Sequence, residues 1–112
     1  MKTLYRLTAL VASLMLGQQA LAVQYITGHI TQLEPTYMPG RIMMQMDTGN
    51  AACAAGAWLQ WNNGGQAGGA LGSQAVYATM LAALLSGKVV DFIINDDDHN
   101  CVGQFFHLHV ET

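Results

Sequence analysis

The sequence predicts a mainly β fold with one helix and one disulfide. Three observations carry that expectation. Short stretches of alternating apolar and polar residues recur along the chain, separated by turns rich in Pro, Gly and Asn. One run, Gln74 to Ser86, instead spaces Val76, Tyr77, Met80, Leu81, Leu84 and Leu85 as a helix does. Cys53 and Cys101 are the only cysteines, and an even count in an exported protein reads as a bridge.

Export is itself an expectation from the first 22 residues. Lys2 and Arg6 make a short positive region, Leu7 to Leu16 is apolar and uncharged, and Ala20-Leu21-Ala22 offers small residues for cleavage before Val23. A membrane span needs about 20 apolar residues, and Gly17-Gln18-Gln19 interrupts this stretch too early. Residues 1–22 therefore read as a cleaved signal peptide, and residues 23–112 as one domain in the periplasm or outside the cell. With no Cys next to the cut, no lipid or other membrane anchor is expected on the mature chain.

The elements follow in order. Gln24 to Leu33 alternates as a strand, with Ile26, Gly28 and Ile30 on one face and Tyr25, Thr27, His29 and Thr31 on the other. Gly28 in mid-strand predicts a bulge or bend. Glu34-Pro35 to Pro39-Gly40 is a turn. Arg41 to Asp47 is a second strand with Ile42, Met44 and Met46 inward, and Ala57 to Trp61 a short third. Asn62 to Gly72 is glycine-rich and reads as a mobile loop. Ser73 is placed to cap the helix and Gly87 to end it in the left-handed conformation. Lys88 to Asn95 is the strongest strand, Asp96 to Asn100 an acidic turn, and Gly103 to Val110 the last strand. There Phe106, Leu108 and Val110 face one way and Phe105, His107 and His109 the other.

Three strands, a helix and two strands is the order of a five-stranded OB-like barrel, whose helix lies between strands 3 and 4. The bridge would tie the start of the third strand to the loop between the last two. Closing so long a loop is worth roughly 4 kcal/mol, which matters to a domain with a modest core. The helix carries no charge on any face. A surface helix normally does, so this one predicts packing of helices from several copies.

After cleavage Arg41 and Lys88 would face seven acidic residues, a net charge of −5. A domain so acidic is a poor partner for a phosphate backbone, so nucleic acid is not expected. The glycine-rich loop lacks the Gly-Lys-Ser/Thr of a P-loop, and no cofactor is implied. Asp96, Asp98 and Asn100 have the 1-3-5 spacing of a calcium loop, but Cys101 stands where the turn needs Gly. His107 and His109 point the same way from a strand and would bind Zn²⁺ with a third ligand, for which His29 is a candidate. No Gly-x-Ser-x-Gly elbow is present. Among the aromatics able to stack on a sugar ring, Trp58, Trp61, Tyr25, Tyr37 and Tyr77, the best placed for exposure are Trp61 beside the glycine loop and Tyr37 between two prolines.

Gly28-x-Ile30, Cys53 ahead of Trp58, and the helix ending Met80-Leu81-Ala82-Ala83 before Gly87-Lys88, with Val90 and Cys101 beyond, also carry a likeness. In these the chain resembles small exported proteins of Gram-negative bacteria, which look like the B subunits of subtilase-cytotoxin-type pentameric toxins. The resemblance implies an OB barrel, a pentameric ring with helices around a channel, and glycan binding. The glycine loop and acidic turn depart from the toxin subunits, and no glycan-contacting residue can be matched by position. The function expected is thus a non-enzymatic exported binding module, oligomeric, with a glycan or protein ligand. The alternative is a periplasmic inhibitor or immunity-type protein that blocks an enzyme through its loops. A small metal-dependent enzyme using the histidine pair ranks third.

Overall fold

Gly28 and His29 decide the architecture. The computed structural model describes residues 23–63, 69–95 and 100–110. Within them the stretch expected as one strand is two, β1 (Val23–Gly28) and β2 (Ile30–Glu34), separated by the single residue His29. The remaining strands are β3 (Arg41–Met46), β4 (Leu59–Asn62), β5 (Val90–Asn95) and β6 (Val102–Leu108), with the helix α1 (Gly69–Ser86) between β4 and β5. All six strands form one sheet in the order β1-β5-β6-β4-β3-β2. The pairing of β4 with β6 is parallel and the other four are antiparallel. The sheet is therefore mixed and six-stranded rather than five-stranded, and β1 and β2, neighbours in sequence, stand at opposite ends of its hydrogen-bond order.

The break has local causes. The His29 backbone N–H donates to Asp47 Oδ1 at 2.7 Å, and the Asp47 N–H donates back to the His29 carbonyl at 3.0 Å. The Thr48 hydroxyl donates to the Thr27 carbonyl at 2.6 Å. Any side chain at Gly28 would collide with those of Asp47 and Thr48, so glycine is needed for this close approach. A register shift between Ile30 and Gln32 bends β2 further as it pairs with β3.

The inward residues are those the alternation predicts. Ile26, Ile30, Ile42, Met44, Met46, Leu59, Val90, Phe92 and Ile94 are buried in one core with Met80 and Ala83 of α1. Phe106 packs against it from β6, while Leu108 and Val110, expected on the same face, are exposed where the strand runs off the core. α1 lies chiefly over β2, with smaller contacts to β3 and β6.

The helix begins at Gly69, not at Gln74, and so takes in the end of the glycine-rich segment. Ser73 is consequently no cap. It is fully buried inside the helix, its hydroxyl donating to the Pro39 carbonyl at 2.6 Å and accepting from Asn63 Nδ2 at 3.3 Å. That bond ties α1 to the turn between β2 and β3. The far end is as expected: Gly87 has φ +67°, and the Lys88 N–H donates to the Ala83 carbonyl at 3.2 Å, closing a Schellman turn.

The Cys53–Cys101 disulfide is formed, with a Cα–Cα separation of 5.8 Å. It links the segment ahead of β4 to the residue just before β6. The Cys101 carbonyl also accepts the Gln60 N–H at 2.9 Å, so the bridge and the start of the parallel β4–β6 pair reinforce each other. The proposed leader (residues 1–22), the glycine segment at 64–68 and the acidic residues 96–99 with their calcium-like spacing lie outside the described residues.

Candidate functional site

Cross-strand register assembles the most distinctive surface of the chain. In β1, β5 and β6 the residues that point away from the core line up in rows, because partners directly opposite each other in a ladder share a face. Tyr25 pairs with Ile93 and Ile93 with Phe105. Two residues along, Thr27 pairs with Asp91 and Asp91 with His107. The first row is apolar and aromatic, the second polar.

Tyr25 is 58% exposed and Phe105 55%, whereas Ile93 between them is only 6% exposed. Ile93 lies outside the core cluster yet is buried, in register between the two rings. Strands lie about 4.8 Å apart, which sets the two ring-bearing backbones roughly 10 Å apart across a floor of Ile93. The polar row is joined by one hydrogen bond and one longer polar approach. The Thr27 hydroxyl donates to Asp91 Oδ1 at 2.6 Å, and His109 Nε2 lies 3.5 Å from the same oxygen. Asp91 is itself out of character, since aspartate is disfavoured in strands and this one interrupts the run Val89-Val90-Asp91-Phe92-Ile93-Ile94.

The residues singled out in the sequence fall elsewhere. Trp61 is 3% exposed, not exposed as expected. It pairs with the buried Ile42, and its indole N–H donates to the Gln104 carbonyl at 2.9 Å. It therefore shows no ring face to a ligand. Tyr37 is exposed in the β2–β3 turn, and the Arg41 guanidinium lies over its ring at 4.3 Å, covering one face. Trp58 is exposed and Tyr77 packs against the core.

The three histidines considered as zinc ligands divide between two acids. His29 Nδ1 sits 2.9 Å from Asp47 Oδ2, while His109 approaches Asp91 and His107 stands in register beside it. Among the described residues no group of three or more His, Cys, Asp or Glu side chains is placed to hold a metal ion. Asp47 is held below the usual carboxylate range, chiefly by the His29 backbone N–H, against a loss of solvation that opposes it and with the imidazole adding to the lowering. Its role is to fix the β1–β2 break.

A second surface belongs to α1. Leu71, Ala75, Ala78, Ala82 and Leu85 are exposed and follow one another at spacings of four, three, four and three residues, a straight seam along the helix. Leu85, expected in the buried stripe, is 78% exposed. Of the other apolar helix positions, Met80 is buried and Val76, Tyr77 and Leu84 pack against the core, joined there by Ser73 and Ala83. By length and composition α1 is also long and apolar enough to cross a membrane, but these residues hold it against the sheet.

The alternation of the sequence had already grouped Tyr25 with Thr27, and Phe105 with His107 and His109, on one face of each strand. What it lacked was the pairing of β1 and β6 with opposite sides of β5. No protein family, no characterised relative and no solved structure matches this chain.

Proposed function

We propose that the chain is an exported, non-enzymatic binding module built on an OB-like barrel, which self-associates through α1 and presents a ligand surface on its sheet. The barrel reading is supported by the two halves of the first strand, which pair with β5 on one side and β3 on the other, and by the parallel pairing of β4 with β6. Export is supported by the cystine, a bond that persists in oxidising compartments.

The observation that carries the binding role is the pair of exposed apolar surfaces, the Tyr25–Phe105 row and the Leu71–Leu85 seam. Apolar exposure concentrated on particular faces marks sites of interaction. Leu71 and Leu85 bracket three alanines at the spacing that lets two helices approach closely, and no charge along α1 opposes a second copy of itself. The ring of five implied by the likeness to toxin B subunits is one assembly in which such helices meet.

Light scattering on the full mature chain tests the assembly. The protein is expected as an oligomer, and Ala78→Glu with Ala82→Glu, both on exposed helix positions, should convert it to monomers without loss of circular dichroism. A wild-type monomer at all concentrations would sink the self-association. A glycan array probed with the wild-type chain tests the ligand class, and silence across it would remove glycans from the reading.

A further inference from the structure

The exposed seam of α1 has the same pattern from either end. We infer that it pairs with the seam of a second copy in antiparallel orientation, giving a two-fold dimer in which Leu71 of each copy meets Leu85 of the other and Ala78 lies at the axis. This inference rests on the self-association reading and gives it a register and a symmetry, both different from those of a ring of five.

The first support is the pattern itself. Counted from Ala78, the seam has Leu seven residues to either side, and Ala three residues before and four after. Turning one helix end for end therefore restores nearly the same order of large and small side chains, as a self-complementary two-fold contact requires. Leu71 is 75% exposed and Leu85 78%, so each has most of its surface left to bury. The alanines between them let the two backbones approach closely. The hydroxyls bordering the seam are satisfied within their own helix, Thr79 donating to the Ala75 carbonyl at 2.9 Å and Ser86 to the Ala82 carbonyl at 2.6 Å. Covering them would strand no donor.

The second support is charge complementarity at the helix ends. Aligned peptide dipoles leave a helix partly positive at its N-terminus and partly negative at its C-terminus. α1 has no acidic residue in its first turn and no basic residue in its last, and Lys88 lies beyond the Gly87 turn. An antiparallel neighbour sets the negative end of one helix beside the positive end of the other, at both ends of the seam. Helices gathered around a five-fold axis run parallel and set like ends together.

Area then bounds the strength. A strip as long as this 18-residue helix and one side chain wide measures about 27 by 10 Å, which is roughly 300 Å² from each copy. A standard stable interface takes about 800 Å² per partner. The pair is therefore a reversible dimer that forms as concentration rises.

Sedimentation velocity of the full mature chain over a wide concentration range tests the symmetry. Monomers should give way to dimers and to nothing larger. Leu71→Ala and Leu85→Ala should each weaken the dimer about tenfold or more, because every substitution occurs twice in a two-fold contact. Cross-linking under mild oxidation tests the orientation, the native cysteines being already paired with each other. Ala78→Cys should link to itself. Leu71→Cys should not, since its two copies would stand about 21 Å apart, but it should link to Leu85→Cys when the two variants are mixed. Circular dichroism of each variant should match the wild type. Wild-type monomers at every concentration would overturn both the pair and the self-association reading. A pentamer, or Leu71→Cys linking to itself as readily as Ala78→Cys, would overturn the antiparallel pair and leave self-association through α1 standing. A dimer that none of these substitutions weakens or links would place the contact elsewhere and overturn the role of α1.

Discussion

The two exposed apolar surfaces are made in opposite ways. The sheet face gathers residues 25, 93 and 105 from three strands through ladder register, and places a polar row beside them. The helix seam is local, confined to residues 71–85 of one element, and contains only Leu and Ala. A surface that mixes rings with hydrogen-bonding groups offers apolar and polar contacts side by side. A seam of small apolar side chains offers only shape and burial, which is what another helix supplies. Apolar exposure is therefore two distinct properties in this chain, and experiments can separate them.

The largest expected effect falls on the sheet side. Cys101 immediately precedes the strand that carries Phe105, and Cys53 ties it to the approach to β4. Replacing both cysteines with serine should cost about 4 kcal/mol in urea unfolding, since the bridge closes a long loop. Native-state hydrogen exchange should speed up more in β6 than in α1. Equal loosening of both elements would mean that the two surfaces share one cooperative unit, and the contrast drawn between them would break.

Next in size is a contrast within the helix itself. Met80 is fully buried in the core, while Leu85 lies on the outer seam. Met80→Ala should destabilise the domain by about 2–5 kcal/mol, the usual range for a core cavity. Leu85→Ala should change monomer stability by no more than about 0.5 kcal/mol, its effect appearing instead in the concentration dependence of association. Denaturation at several protein concentrations separates the two. A large concentration-independent loss for Leu85→Ala would place that side chain in the fold rather than in an interface.

How much of this was legible depends on whether a feature is local. The alternation of Ile42, Met44 and Met46, the exit of α1 at Gly87 and the cystine could be read directly, because each depends on spacing or on a single residue's chemistry. Ser73 was misread because an N-cap and a buried serine share the same sequence signal. Only the Pro39 carbonyl, brought near by the fold, decides between them. Trp61 was misread for a related reason: its neighbours in sequence resemble a loop, but its pairing with Ile42 carries it inward. Tyr25 and Phe105 were each grouped with the right neighbours on their own strand yet were not joined, since nothing in an alternating pattern names the partner strand. The bend at Gly28 was foreseen, while the residue that fixes it, Asp47, is 18 positions away from His29.

That bend yields a smaller effect than the core cavity and the sharpest one in pH. Asp47 accepts both the backbone N–H and the ring nitrogen of His29, and it is substantially exposed, so solvent screens its charge. Asp47→Ala should cost about 1–2 kcal/mol, the loss of hydrogen bonds to a charged acceptor. Asp47→Asn keeps one acceptor and should cost less. Because the fold lowers the pKa of Asp47, its contribution is complete above the unfolded-state value of about 3.9 and disappears as pH falls through the lower folded-state value. Wild type and Asp47→Asn should therefore differ at neutral pH and converge in acid, when unfolding midpoints are compared across that range. Curves that stay parallel into strong acid would show that the carboxylate charge contributes nothing, leaving Gly28 and the Thr48 hydroxyl to hold the break between β1 and β2. The row at Tyr25, just upstream of that break, would then owe its register with Ile93 to the β1–β5 ladder alone.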